Sequence, residues 1–276
     1  GSKDPPLQEY VGAGLQTRPS SLSSEGVPIL EADAVLARII PGGSLEQIIY
    51  RVDALHWIEK RGIPVINSPR AIERCIDKFY TTALLQEHGL PVPETLVCER
   101  ADEAVAAVRA MGDAIVKPIF GSLGHGMVRV SDPDVALRIV RSLDQTRPVF
   151  YVQRAIDHGG RDIRAFVVGG RVLGAIERRA RPGEWRTNVA MGGSAHPFEL
   201  PDAWADLARR AATVVGADYA GVDLLPSRDG EVFVLEVNGI PGWEGLQKAT
   251  GLDVAGSIVE HLVARVGADR PVVLRK

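Results

Sequence analysis

Apolar residues recur along this chain in two rhythms, one of three to four residues and one of two, and their succession predicts alternating helices and strands. Residues 34–40 (AVLARII) read as a buried strand ending at Pro41-Gly42-Gly43. Leu45, Ile48, Ile49, Val52, Leu55 and Ile58 keep helical spacing over 45–61, where Gly62 stops the helix. Residues 64–67 form a short strand, Ser68-Pro69 opens a helix through Ile72, Cys75 and Ile76, and a second helix over 78–88 ends at Gly89. From 94 to 156 the order is strand (95–98), helix (101–110), strand (114–117), loop, strand (127–130), helix (134–142), strand (149–153). A β-α-β-β-α-β unit of that size packs marginally alone and suits a mobile lid. Strands over 164–168 and 172–178 follow, then an irregular stretch over 179–197. An amphipathic helix carries Trp204, Leu207, Ala208, Ala211 and Val215 on one side, and a final helix spans 254–266. Residues 1–28, rich in Gly, Pro and Ser, show neither period and predict no elements. The predicted class is α/β (α+β), divided into an irregular segment (1–28), a small α/β domain (29–93), a lid (94–156) and a C-terminal mixed-sheet domain (157–276).

The segment AGVDLLPSRDGEVFVLEVNGIPG, residues 220–242, carries the most chemistry. Two apolar strands flank Asp229-Gly230, the dipeptide suited to a two-residue type I′ turn. With that turn, Arg228 faces Glu231, and counting outward sets Asp223 opposite Glu236, with Asn238 on the same face. Two carboxylates and an amide oxygen so placed make a hard-oxygen site for Mg²⁺ or Mn²⁺, ions that commonly also hold phosphates. A solvent-facing hairpin with two surface acids is the plainer alternative, and the apolar setting of Glu236 in VFVLEVN speaks against it.

Composition narrows the field without choosing within it. Of 276 residues 45% are hydrophobic and 24% charged, as in ordinary globular domains. A formal net charge of −3 gives no support for nucleic-acid binding through bulk charge, although arginines bunch between Arg161 and Arg186. Cys75 and Cys98 lack metal-ligand spacing and predict a reduced, cytoplasmic protein. Neither a membrane-length apolar run nor a signal peptide is visible, and Gly1-Ser2 has the look of a cloning remnant.

Lys117 ends the strand AIVK, and the loop after Pro118 contains Gly121, Ser122, Gly124, His125 and Gly126. Backbone N–H groups of such a loop can converge on an anion while the ammonium adds a point charge, so with a metal site downstream phosphate binding is the better reading. The spacing matches neither the P-loop nor the dinucleotide fingerprint. Val152-Gln153-Arg154-Ala155-Ile156 leaves a strand and offers backbone groups to an adenine, with Asp162 near a ribose; a plain strand end accounts for the same residues equally well. Arg164, Arg178, Arg186 and Asn188 cluster where planar recognition of phosphate or carboxylate is wanted, Arg178 being favoured because it ends an apolar strand. No HExxH, no GxSxG elbow and no cysteine with a neighbouring histidine is present, which excludes the usual covalent nucleophiles.

Taken in order, Lys117 and its glycine loop, Gln153 to Ile156, Asp162-Ile163-Arg164, Ile176-Glu177-Arg178-Arg179, Arg186-Thr187-Asn188, Val222-Asp223 and Leu235-Glu236-Val237-Asn238 resemble the ATP-grasp carboxylate–amine ligases over residues 34–266. IERRARPGEWRTNVAMGG and EVNGIPGWEGLQKATGLDVA look like the RimK-type α-L-glutamate ligases, with GWEGLQ similar to the tetrahydromethanopterin glutamate ligase branch. The resemblance implies an ATP-grasp fold with ATP clasped between lid and C-terminal domain. It implies Lys78 and Lys117 on the α- and β-phosphates, Gln153, Arg154, Ala155 and Ile156 around adenine, and Asp162 near the nucleotide. It further implies Arg178, Arg186 and Asn188 in the catalytic group, and Asp223, Glu236 and Asn238 on two Mg²⁺ or Mn²⁺ ions. The expected partners are ATP, L-glutamate and a carboxylate acceptor, either a small molecule such as a pterin-type cofactor or a protein tail. A homo-oligomer is expected, and neither nucleic acid nor membrane. An ATP-grasp ligase using another amino acid and an inactive nucleotide-binding module are the alternatives. The joint presence of Lys117, Arg186, Asp223, Glu236 and Asn238 argues against the second.

Overall fold

The computed structural model describes residues 15–18, 21–120, 126–144, 148–188 and 192–269. Two compact units divide the chain, one formed by residues 1–69 with 262–276 and the other by 70–261.

The first unit holds a three-stranded antiparallel sheet, β1 (Leu15–Arg18), β2 (Ser21–Ser24) and β3 (Val27–Pro28), in the stretch expected to lack elements. β1 and β2 escape a periodicity reading because they are mostly polar, with Leu22 buried, and Glu25-Gly26, both at positive φ as a type I′ turn requires, joins β2 to the two-residue β3. The strand expected over 34–40 shortens to β4 (Val35–Leu36), which pairs in parallel with β5 (Val65–Ile66). Helix α1 (Leu45–Lys60) begins with a capping box in which Ser44 and Gln47 each accept from the other's backbone N–H, at 3.3 and 3.0 Å.

The second unit opens with α2 (Pro69–Ile76) and α3 (Lys78–Glu87), the latter capped by Asp77. A four-stranded antiparallel sheet follows, built from β6 (Thr95–Cys98), β7 (Ala114–Pro118), β8 (Val128–Val130) and β9 (Phe150–Arg154) in the order β6-β9-β7-β8. Helices α4 (Ala101–Met111) and α5 (Pro133–Asp144) cover one of its faces, burying Val108 and Val140 against Phe150 and Val152. Alternation along β9 then turns Tyr151 and Gln153 the other way.

The larger sheet has the order β12-β11-β10-β13-β14, antiparallel throughout. Its strands are β10 (Arg161–Val168), β11 (Arg171–Arg179), β12 (Ser194–Pro197), β13 (Tyr219–Pro226) and β14 (Val232–Asn238). Helix α6 (Asp202–Val215) packs Ala208, Ala211 and Val215 on Ile163, Ala165, Val222 and Val237. Burial on both faces explains why every residue of β13 is buried, its aspartate included. Two further helices follow, α7 (Glu244–Thr250) and α8 (Val254–Asp269). Strand β12 and helix α7 have no counterpart in the pattern reading, since SAHP and EGLQKAT hold too few large apolar residues to mark a period. Among the described residues no helix is long and apolar enough to cross a membrane.

Candidate active site

Asp223 does stand opposite Glu236, but two departures from the simple hairpin cancel to put it there. The turn is a three-residue loop, Arg228-Asp229-Gly230, closed by Ser227 N–H donating to the Glu231 carbonyl at 2.8 Å, with Gly230 at φ 92°. That loop slips the register by one residue, so Pro226 pairs with Val232 and Leu224 with Val234. A bulge then inserts Leu235 and restores the Asp223–Glu236 pairing. Without the bulge Asp223 would face Leu235. The bulge also brings Leu235 and Glu236, adjacent in sequence, to the wall of the same cavity.

On the face away from α6, charges alternate across the sheet. Strand pairing sets Arg178 opposite Asp162 and Arg164 opposite Asp223. Arg178 donates from Nε and Nη2 to the two Asp162 oxygens (2.7 and 2.6 Å) and from Nη2 to Asp223 Oδ2 (2.8 Å). Arg164 grips Asp223 with two parallel bonds of 2.7 and 2.8 Å, and Thr187 Oγ1 donates to Asp162 Oδ2 at 2.6 Å. Burial works against the charge on Asp223, yet Arg164 and Arg178 outweigh it and hold the carboxyl down to about 2. Three of roughly four lone-pair positions on that carboxylate are engaged, which leaves one for a cation. Glu236 makes no hydrogen bond or ion pair among the described residues. Asn238 Oδ1 accepts from Ile240 N–H at 3.0 Å. Two carboxylates and an amide oxygen on one wall fit a hard divalent cation, with phosphate and water completing its shell. Among the described residues no cluster of three His, Cys, Asp or Glu side chains forms, so no all-protein cage competes with that reading.

Lysines face this anionic wall. Lys117, buried at the end of β7, donates to Gln153 Oε1 at 2.6 Å and lies 5.7 Å from the Tyr151 ring centroid. Burial pushes its ammonium down to about 8, Lys78 adds to the fall, and Glu236 opposes it. Lys78, first residue of α3, reaches the Ile119 carbonyl at 3.2 Å; burial lowers it as well, against Glu236 and Asp77. Cys75 lines the same cavity as a protonated thiol, raised to about 12 by burial and by Glu236. Arg186 Nη2 pairs with Glu184 Oε2 at 2.7 Å, and its hydrogen bonds hold the Glu184 carboxyl down to about 2.

One cavity is lined by Lys78, Lys117, Gln153, Arg154, Ile156, Asp162, Arg178, Arg186, Asn188, Asp223, Glu236 and Asn238. Ala155 does not line it; its N–H bonds to the Asp113 carbonyl at 2.9 Å. Gly121, Ser122 and Gly124 lie outside the described residues. The Arg154 guanidinium is committed to Glu94 and the Met111 carbonyl, and Asp162 is committed to Arg178 and Thr187. Gln153 is 1% exposed, with its amide bonded to Lys117, Thr95 and Tyr151. Thr187 and Leu235, named above only as parts of motifs, line the cavity with Thr82 and Tyr151, while Thr95 joins through Gln153; Thr82, Thr95 and Tyr151 carry no site role in the sequence reading. Period two in FYVQR puts Tyr151 on the Gln153 face, a usable signal; the approach of Thr82 from α3 leaves none.

A family model described as a RimK-like ATP-grasp domain matches residues 75–262. The tetrahydromethanopterin:α-L-glutamate ligase of Methanosarcina acetivorans is 35% identical over 284 residues, covering 93% of this chain and 88% of that protein. A probable α-L-glutamate ligase of Legionella pneumophila is 35% identical over 260 residues, 93% of this chain and 84% of its own length. Among solved structures, the ATP-grasp ligase PsnB, complexed with a phosphomimetic variant of its minimal precursor, Mg and ADP, is similar with a TM-score of 0.64. That match has 26% identity over 80% of this chain and 68% of the other.

Proposed function

This chain belongs to the RimK-like ATP-grasp family, and from that premise we propose that it is an ATP-dependent ligase joining L-glutamate to an acceptor carboxylate. The observation that carries the reading is the cavity in which Lys78 and Lys117 face Asp223, Glu236 and Asn238. A polyphosphate needs cations, and a divalent ion beside the phosphates needs hard oxygens; both kinds of partner stand on opposite walls.

The reaction proceeds in two steps. An oxygen of the acceptor carboxylate attacks the γ-phosphorus of ATP, the bridging bond to the β-phosphate breaks, and ADP leaves. The glutamate amine then attacks the activated acyl carbon, loses a proton and expels phosphate, forming the amide. Lys117 and Lys78 hold the phosphate tail, and Arg186 and Asn188 meet the transferring group or the carboxylate it joins. Arg178 and Arg164 keep Asp223 ionised and aimed. Bound Mg²⁺ or Mn²⁺, which we assign as two ions on Asp223, Glu236 and Asn238, neutralises charge that builds on the phosphates. The protein supplies no covalent nucleophile. Its work is positioning and exclusion of water, which would otherwise hydrolyse the acyl phosphate. Residues 94–156 act as the lid that performs the exclusion, with adenine at the strand end from Gln153 to Ile156. The acceptor is a pterin-type cofactor or a protein or peptide C-terminus.

ADP release is expected only when Mg²⁺, glutamate and an acceptor are all present, with mass spectrometry recording an acceptor heavier by a glutamyl residue. Glu236→Ala should abolish ADP formation while leaving the thermal unfolding midpoint near that of the wild type. Normal turnover by that variant would remove the metal assignment.

A further inference from the structure

Gln153 occupies a hydrogen-bond network whose direction can be worked out donor by donor. Thr95 Oγ1 donates its one proton to the Pro93 carbonyl at 2.8 Å. Toward Gln153 it can therefore only accept, and the amide must present Nε2 to it, at 3.0 Å. The second Nε2 proton goes to the Tyr151 hydroxyl at 3.1 Å, and that hydroxyl meets Thr82 Oγ1 at 2.7 Å. With both amide protons so placed, Oε1 is turned to Lys117, whose ammonium has only donors to offer. A flipped amide would aim two N–H groups at an ammonium, so the threonine decides the sign of the group that the lysine meets. Thr82, Lys117, Tyr151 and Gln153 are buried and Thr95 is half-buried, which makes each unmet partner costly. It also ties α3, the helix that begins with Lys78, to the sheet that carries Lys117.

We propose that Thr95 and Tyr151, with Thr82 behind them, are positioning residues that orient the Gln153 amide and through it hold the Lys117 ammonium where the phosphates of ATP bind. The proposal rests on the reading of Lys117 as a phosphate ligand. None of the three touches the reacting atoms; each acts through Gln153. Their effect therefore belongs to nucleotide binding and not to the use of acceptor or glutamate.

The test is steady-state kinetics on the full chain, varying ATP, acceptor and glutamate separately. Thr95→Val is nearly isosteric and removes the acceptor that orients the amide. It should raise KM for ATP about tenfold, because an amide no longer fixed by Thr95 loosens the charge-assisted hydrogen bond that Gln153 Oε1 accepts from Lys117, with the other two KM values unchanged. Thr95→Ser, which keeps the hydroxyl, should restore the wild-type KM for ATP. Tyr151→Phe should raise the same constant by a smaller factor, and adding it to Thr95→Val should exceed either alone. Gln153→Glu should raise it as well, because a carboxylate would hold Lys117 as an ion pair. A Thr95→Val enzyme with unchanged KM for ATP, or one in which all three KM values rise together, overturns the proposal. If Thr95→Val is too unstable to assay, Tyr151→Phe decides by the same criterion. Lys117→Met separates the two levels. Should it leave KM for ATP unchanged, the phosphate role of the lysine fails; should it raise KM while Thr95→Val and Tyr151→Phe do not, only the positioning network fails.

Discussion

Replacing Arg178 by methionine should destabilise the second unit far more than the loss of a surface arginine, and most of that cost should vanish when Asp162 is changed as well. Arg178 is 4% exposed and sits between two carboxylates, Asp162 and Asp223, each 3% exposed. With Arg164 the cluster holds two positive and two negative charges. Methionine fills similar volume but leaves the set one charge negative. Asp223 keeps both bonds from Arg164, whereas Asp162 keeps only the Thr187 hydroxyl, so the penalty concentrates on Asp162. Breaking one side of a buried pair costs about 3–5 kcal/mol. Asp162→Asn alone strands positive charge instead and should also destabilise, by less, because Arg178 retains Asp223. The double variant Arg178→Met/Asp162→Asn restores neutrality, and its asparagine oxygen can still accept from Thr187. Its destabilisation should fall below the sum of the single changes by about 2–3 kcal/mol. Urea denaturation, with the slope checked for constancy across the four proteins, measures the cycle. Additivity within about 0.5 kcal/mol would refute the claim that the buried charges act as one unit.

Lys117 yields a pH prediction. Its folded-state pKa lies near 8, below the ordinary lysine value of 10.5, so from about pH 8 to 10.5 the unfolded chain holds the proton more firmly. The penalty for burying the charge is fully present below pH 8 and is relieved as pH rises through that window, so this group adds stability across it. ATP binding should run the other way, weakening above pH 8 and drawing in a proton. Calorimetry at pH 9 in buffers of different ionisation heat should detect that uptake in the wild type and lose it in Lys117→Met; wild-type observed heats that are the same in every buffer would contradict the assignment. Gly193→Ala should impair the loop that carries Arg186 and Asn188, because a Cβ there would meet the Thr187, Arg179 and Asn188 carbonyls at 2.6, 2.9 and 3.2 Å. A fall in kcat of about tenfold or more is expected, and wild-type kcat would show that the close approach is relieved at no functional cost.

Much of this protein can be read one residue after another. The spacing of Leu45, Val52 and Ile58, the helical run over 101–110 and the apolar stretch over 149–153 are local signals, and helices and a strand appear where they predict. The order of motifs from Lys117 to Asn238 likewise carries the resemblance to the ligase family with no need of tertiary contacts. Counting through a two-residue turn pairs Asp223 with Glu236; that turn does not form, and a bulge at Leu235 restores the same pairing. Neither the bulge nor the match of Arg164 to Asp223, 59 residues apart, leaves a local trace. Those features follow from how α6 packs beneath the sheet and which strands lie side by side, and a choice among distant partners is made by the burial they achieve together. So it was with Gln153: its place on a strand end was legible, but the partners that set its amide come from β6, β7, β9 and α3, and only their convergence determines which atom faces the lysine.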